Sequence, residues 1–235
     1  MIVTAYSIEV HYRNPSSKGK CGMKLIQIMF AVCLYLVSHC TRALEFSVSD
    51  ANFKQCLTTL AQKNNWASVD TVTKIECHSQ NIAVLDGLEQ FTQLQSLSIY
   101  NNQLTQASVK NLSHLRHLNL AKNSLKSVEL AGLPALEELY VFNNKLTGLS
   151  LTNLPALKLL KANENQLLTF TYNELPALEK IYLFNNKIVT VDIYHLPSMR
   201  YMDCRQNPMP TKLYDEMNAL KGVTFLHDGN AKDWQ

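Results

Sequence analysis

The strongest constraint on how this chain folds is a period. The pattern L-x-x-L-x-L-x-x-N-x-L appears at Leu94, Leu97, Ile99, Asn102 and Leu104. It returns at Leu115, Leu118, Leu120, Asn123 and Leu125, and again at Leu136, Leu139, Val141, Asn144 and Leu146. Leu157, Leu160, Ala162, Asn165 and Leu167 follow, then Leu178, Ile181, Leu183, Asn186 and Ile188. A softer copy closes the series with Met199, Met202, Cys204, Asn207 and Met209. The first positions, 94, 115, 136, 157, 178 and 199, are 21 residues apart throughout. One earlier unit (Val72, Ile75, Cys77, Gln80, Ile82) stands 22 residues before Leu94, with Gln in place of Asn. Such a period means units that stack and bury their faces on one another. Within each unit the alternating apolar pair predicts a short strand with one face inward.

This is the leucine-rich-repeat signature, and the chain resembles that family over about residues 72–209. The resemblance implies an α/β repeat fold: a leucine-rich-repeat solenoid of seven units with a parallel concave sheet. The Asn at each strand end is expected to turn inward, where its amide bonds backbone groups that burial would otherwise leave unpaired. Asn102, Asn123, Asn144, Asn165, Asn186 and Asn207 therefore read as a structural ladder, with no catalytic or ligand role. The second half of each unit is patterned too. Val128, Leu130 and Leu133 recur as Leu149, Leu151, Leu154, as Phe170, Tyr172, Leu175, and as Val191, Ile193, Leu196. The spacing of two predicts a short extended convex segment rather than a long helix. "LPAL" or "LPSM" then ends four units, its proline fixing the turn to the next strand.

Both open ends of a solenoid need covering. Phe53, Cys56, Leu57 and Leu60 lie on one face of an amphipathic helix, with Asp50 as its N-cap. The segment from "VSDANFKQCL" to "IECHSQNI" is similar to N-terminal caps of exported bacterial leucine-rich-repeat proteins of the internalin type. In such caps a helix Cys pairs with one in the first strand, which implies Cys56–Cys77. Closing a loop of that size contributes about 3 kcal/mol in the chain-entropy model. Two buried free thiols are the alternative. Cys204 takes an inward strand position and reads as a small buried hydrophobe. At the far end, Leu213, Met217 and Leu220 predict a second capping helix, ended by Gly222. "VTFLH" is expected to add a last strand, and residues beyond Asp228 to fray.

The start of the chain has a different character. "LIQIMFAVCLYLV" (25–37) is an apolar run of 13 preceded by basic residues, the length of a signal-peptide core and short for a membrane span. Thr41 and Ala43 make a cleavage site before Leu44, and Met23 is the start that gives a compact leader. The expected organisation is a leader over 1–43, a helical cap over 44–71, repeats over 72–209 and a C-terminal cap over 210–235. Localisation follows as exported: periplasmic, cell surface or secreted, with no stable membrane span once the leader is removed; an uncleaved anchor or a buried helix is the alternative. The formal charge of +3 is carried by that leader, which holds five of the 22 basic residues and only Glu9 of the 19 acidic ones. From Leu44 onward 17 basic residues face 18 acidic ones, so a basic surface for nucleic acid is not supported.

What remains is the outward side of the concave strands. "YVFNNK" at 140–145 and "YLFNNK" at 182–187 place Tyr140, Phe142, Tyr182 and Phe184 there. Strands stack about 4.8 Å apart, so the two pairs are expected roughly 10 Å from each other. Lys161 lies between them, and Tyr100 and Tyr201 extend the patch. The fold requires no aromatic at these sites, and clustered surface aromatics are typical interface anchors. The competing reading is an internal cation–π cluster around Lys161, with the doublet left over from duplication. Seven scattered histidines without H-E-x-x-H, no C-x-x-C, no Gly-rich phosphate loop and no G-x-S-x-G speak against an enzyme or a cofactor. The expected function is a protein-binding module, its partner a host receptor or an envelope component. A self-associating envelope scaffold and a glycan binder are the alternatives.

Overall fold

The computed structural model describes residues 44–230, so the expected leader and residues 231–235 lie outside the described residues. Helix α1, Ala51–Asn64, begins where Asp50 supplies acceptors for free N–H groups. Its Oδ1 accepts from Asn52 and Phe53, both at 2.9 Å. Its Oδ2 accepts from the Ala83 and Val84 N–H groups at 2.8 and 3.0 Å. One carboxylate thus starts the helix and fastens it to the first repeat. Phe53, Cys56 and Leu57 are buried, as the periodicity predicts. Cys56 and Cys77 are joined in a disulfide, which excludes the two-thiol alternative.

The strands follow in chain order. They are β1 (Lys74–Glu76), β2 (Ser96–Ser98), β3 (Gln106–Lys110), β4 (His117–Asn119), β5 (Ser127–Ala131) and β6 (Glu138–Tyr140). Then come β7 (Gly148–Thr152), β8 (Leu159–Lys161), β9 (Thr169–Asn173), β10 (Lys180–Tyr182), β11 (Tyr201–Asp203) and β12 (Thr224–Leu226). Eight of them form one parallel sheet in the order β1-β2-β4-β6-β8-β10-β11-β12, the "VTFLH" segment adding the eighth. The register never slips: Ile75, Leu97, Leu118, Leu139, Leu160, Ile181, Met202 and Phe225 stand opposite one another in turn. All eight are buried, and they form one wall of the core.

Between sheet and convex side runs the asparagine ladder. Asn144 Oδ1 accepts from the Leu125 N–H of the preceding turn at 2.9 Å, and its amide donates to Leu120 O and Val141 O, both at 3.1 Å. Asn123, Asn165, Asn186 and Asn207 repeat these bonds one turn along. Asn102 serves two donors, Gln80 N–H and Ile82 N–H, both at 3.0 Å. The residue just before each ladder position has a positive φ of 53–56°: Asn101, Lys122, Asn143, Glu164, Asn185 and Gln206. In the "NN" pairs, therefore, the first Asn turns the backbone left-handed, and the second bonds it. Each Leu-Pro corner closes by an i to i+3 bond, as from Leu136 N–H to Leu133 O at 3.2 Å, with Pro at the position its fixed φ suits.

On the convex side β3 pairs with β5 and β7 with β9, as the extended reading requires. The fourth segment departs from expectation. Val191, Ile193 and Leu196 are buried, yet this stretch forms no strand. Asp192 accounts for it: its carboxylate accepts the Tyr194 N–H at 2.8 Å and meets His195 Nδ1 at 2.6 Å, bending the backbone into a local turn. The C-terminal cap differs in two details. Helix α2, Thr211–Ala219, stops before Gly222, which instead supplies the positive φ of 83° for the turn into β12. Residues 228–230 do not fray but form a 3-10 turn, because the Asn230 side chain accepts from His227 N–H and donates to Phe225 O, both at 3.0 Å.

Candidate binding face

Three rows of side chains point away from the core on the concave side. The middle row reads Glu76, Ser98, Asn119, Tyr140, Lys161, Tyr182 and Asp203 across the aligned strands. A second row, two residues further along each strand, holds His78, Tyr100, Ala121, Phe142, Asn163, Phe184 and Arg205. Of the third row, at the strand starts, the sequence patterning singled out only Tyr201 for the aromatic patch. The row runs Lys74, Ser96, His117, Glu138, Leu159, Lys180 and Tyr201. The signal was available, since a residue one before an inward position shares the face of the residue one after it.

Tyr100, Tyr140, Phe142, Tyr182, Phe184 and Tyr201 are half-buried, not freely exposed. Neighbours at strand spacing cover one another's faces, and Ser98, Ala121, Asn163 and Asp203 are buried although they point to the concave side. Lys161 lies across two rings, its Nζ 5.4 Å from the Tyr140 centroid and 5.3 Å from that of Tyr182. Tyr182 and Tyr201 approach to 5.3 Å between centroids, so Tyr201 joins the cluster through Tyr182. Tyr100 stands apart, beneath Lys122 at 5.4 Å and edge-on to His78 at 5.9 Å.

The polar groups are tied to one another. Tyr140 OH donates to Glu138 Oε2 at 2.7 Å, and His117 Nδ1 lies 3.2 Å from the same oxygen. Burial first, and then that carboxylate, push the Tyr140 phenol up to about 12, so it is a neutral donor at physiological pH. Arg205 grips Asp203 with two bonds of 2.9 and 2.7 Å, an orientation only a guanidinium fork provides. The face offers rings, hydroxyls and ammonium groups on a fixed sheet. Cys204, beneath it, is fully buried with its thiol pushed up to about 12, first by burial and then by Asp203 and Asp228. Among the described residues no three His, Cys, Asp or Glu side chains gather as a metal site. A shallow groove of about 360 Å³ on the other side of the molecule is lined by residues 83–85, 105–108 and 127–129.

Residues 92–146 match the leucine rich repeat family. Among solved structures, the functional domain of InlJ from Listeria monocytogenes, described as including a cysteine ladder, is 27% identical, with a TM-score of 0.55. The match covers 59% of this chain and 31% of that one, so the chain spans about a third of that relative's length. An internalin C2 from Listeria monocytogenes is 17% identical over 76% of this chain and 93% of its own, with a TM-score of 0.49. No curated protein matches. The chain folds as a leucine-rich-repeat solenoid, and it carries that family's repeat over residues 92–146.

Proposed function

We propose that this protein binds another protein on its concave face, through Tyr140, Phe142, Lys161, Tyr182 and Phe184 with Tyr100 and Tyr201 beside them. One observation carries the reading: six aromatic side chains share a face where the fold demands none and other repeats place Ser, Asn or Ala. Rings held by a rigid sheet lose little entropy on binding. The disulfide Cys56–Cys77 supports an oxidising compartment, and with the leader expected from the sequence over residues 1–43 it supports export as a bacterial surface, periplasmic or secreted module.

The test is capture from envelope and host-cell extracts by the wild-type chain and by a variant with Tyr140, Phe142, Tyr182 and Phe184 changed to Ala. A partner held by the first and lost by the second, at unchanged thermal midpoints, supports the site. The same capture by both, or none, removes it. The Lys161 geometry favours one competing reading, an internal cation–π cluster that only stabilises the sheet. In that case Lys161→Ala lowers the midpoint and leaves any binding intact. Concentration-dependent sedimentation and a glycan array test the remaining alternatives, self-association and sugar stacking.

A further inference from the structure

The charges of the concave face are asymmetric in a way that describes its partner. Its carboxylates are already engaged. Glu76 pairs with Lys74 at 3.0 Å, Glu138 takes Tyr140 OH and His117, and Asp203 is held by Arg205. At the rim, Glu164 accepts from the Asn143 and Asn163 amides at 3.0 and 3.1 Å. Two of the ammonium groups, unlike that of Lys74, are not so matched. Among the described residues neither Lys161 nor Lys180 forms an ion pair: Lys161 rests between tyrosine rings, and Lys180 stands exposed between Leu159 and Tyr201. These lysines occupy adjacent strands in neighbouring rows, on a floor of Leu159, Tyr140, Tyr182 and Tyr201.

We infer that the concave face takes an acidic protein segment, whose carboxylates reach Lys161 and Lys180 while apolar side chains beside them pack on the tyrosines. This rests on the concave-face reading above and deepens it. A carboxylate at Lys161 meets a cation already partly desolvated by its rings, where attraction is stronger than in open water. A basic segment would compete with the partners that Glu76, Glu138 and Asp203 already hold. A nucleic acid backbone needs a longer run of cations than two lysines flanked by Glu138 and Asp203.

The experiment pans a displayed random-peptide library on the full chain, then measures one selected synthetic peptide against variants. Enrichment of Asp and Glu beside aromatic or aliphatic residues is expected. So are a roughly tenfold or greater loss of affinity in Lys161→Glu with Lys180→Glu, and weakening with added salt. Lys180→Glu alone, at an exposed site, is expected to show part of the loss and keeps the test readable if the double variant unfolds. Peptides without acidic enrichment, lost in Tyr140→Ala with Tyr182→Ala, overturn the charge inference and leave the concave reading standing. Peptides indifferent to both sets of changes, or no binder at all, overturn both. Displacement by a DNA oligomer at equal charge concentration overturns the choice of a protein partner.

Discussion

At the residue scale, two neighbouring asparagines do different work. Asn185 holds a φ of 55°, which costs most L-residues strain and Asn or Gly little, and no bond from its side chain is formed among the described residues. Asn186 serves Leu167 N–H, Ala162 O and Leu183 O from a buried position. Asn185→Gly is therefore expected to stay within about 1 kcal/mol of wild type. Asn186→Ala leaves the Leu167 N–H unpaired, while Ala162 O and Leu183 O each lose one of two amide donors, keeping Asn165 and Asn207. It is expected to cost roughly 1–3 kcal/mol. Chemical denaturation of the two variants measures the contrast, and equal effects would mean that the ladder carries no special burden. The spacing made the second Asn legible. The first was invisible as a function because Lys122, Glu164 and Gln206 fill the same place, and a backbone angle leaves only a weak mark on composition.

At the element scale the caps set the behaviour. The disulfide ties α1 to the end of β1 across 21 residues, and its reduction is expected to lower stability by about 3 kcal/mol. Thermal midpoints with and without reductant test this. At the other end β12 is the sheet's last strand, and the Asn230 side chain occupies the outward Phe225 O and His227 N–H that a further strand would seek. His227 is fully buried and stacked on Tyr214 at 4.4 Å, with Nε2 on Asn218 Oδ1 and no partner for Nδ1 among the described residues. Burial holds its pKa below the ordinary histidine value, against the pull of Asp228 and Asp215. A depressed folded-state value means the unfolded chain takes up the proton first. The contribution of His227 is therefore complete above about pH 6.5 and is lost as pH falls below it. The thermal midpoint is expected to drop on acidification from about pH 7.5 toward 5, and less steeply in His227→Gln. Equal slopes would clear His227 of the effect.

At the scale of the whole molecule, stability is a sum along one axis. Each turn touches its neighbours, and cross-turn bonds such as Arg116 to Glu137 at 3.0 Å and Lys158 to Glu137 at 2.8 Å run along that axis. Opening is expected to begin at the ends, so amide hydrogen exchange should be slowest in β4 to β8 and faster in β1 and β12. Uniform protection across the sheet would show instead that the caps bind the solenoid into a single cooperative unit.

The sequence by itself determined the repeating unit, its inward faces, the ladder asparagines and the capping helices. The first three rest on contacts repeated every 21 residues, so the same pattern is written many times over, and the capping helices on the helical spacing of their own apolar residues. Tertiary structure alone decided what happens between turns. It set Lys161 across Tyr140 and Tyr182, Arg205 on Asp203, and Glu138 beneath both Tyr140 and His117. It left half-buried the rings that a single strand would leave open, and it turned the backbone at Tyr194 and His195 beside Asp192. The reason is physical: which face a side chain takes follows from the alternation of its own strand. Which neighbour it meets depends on register and rotamer across strands, where one substitution in one repeat changes the pairing without disturbing the period.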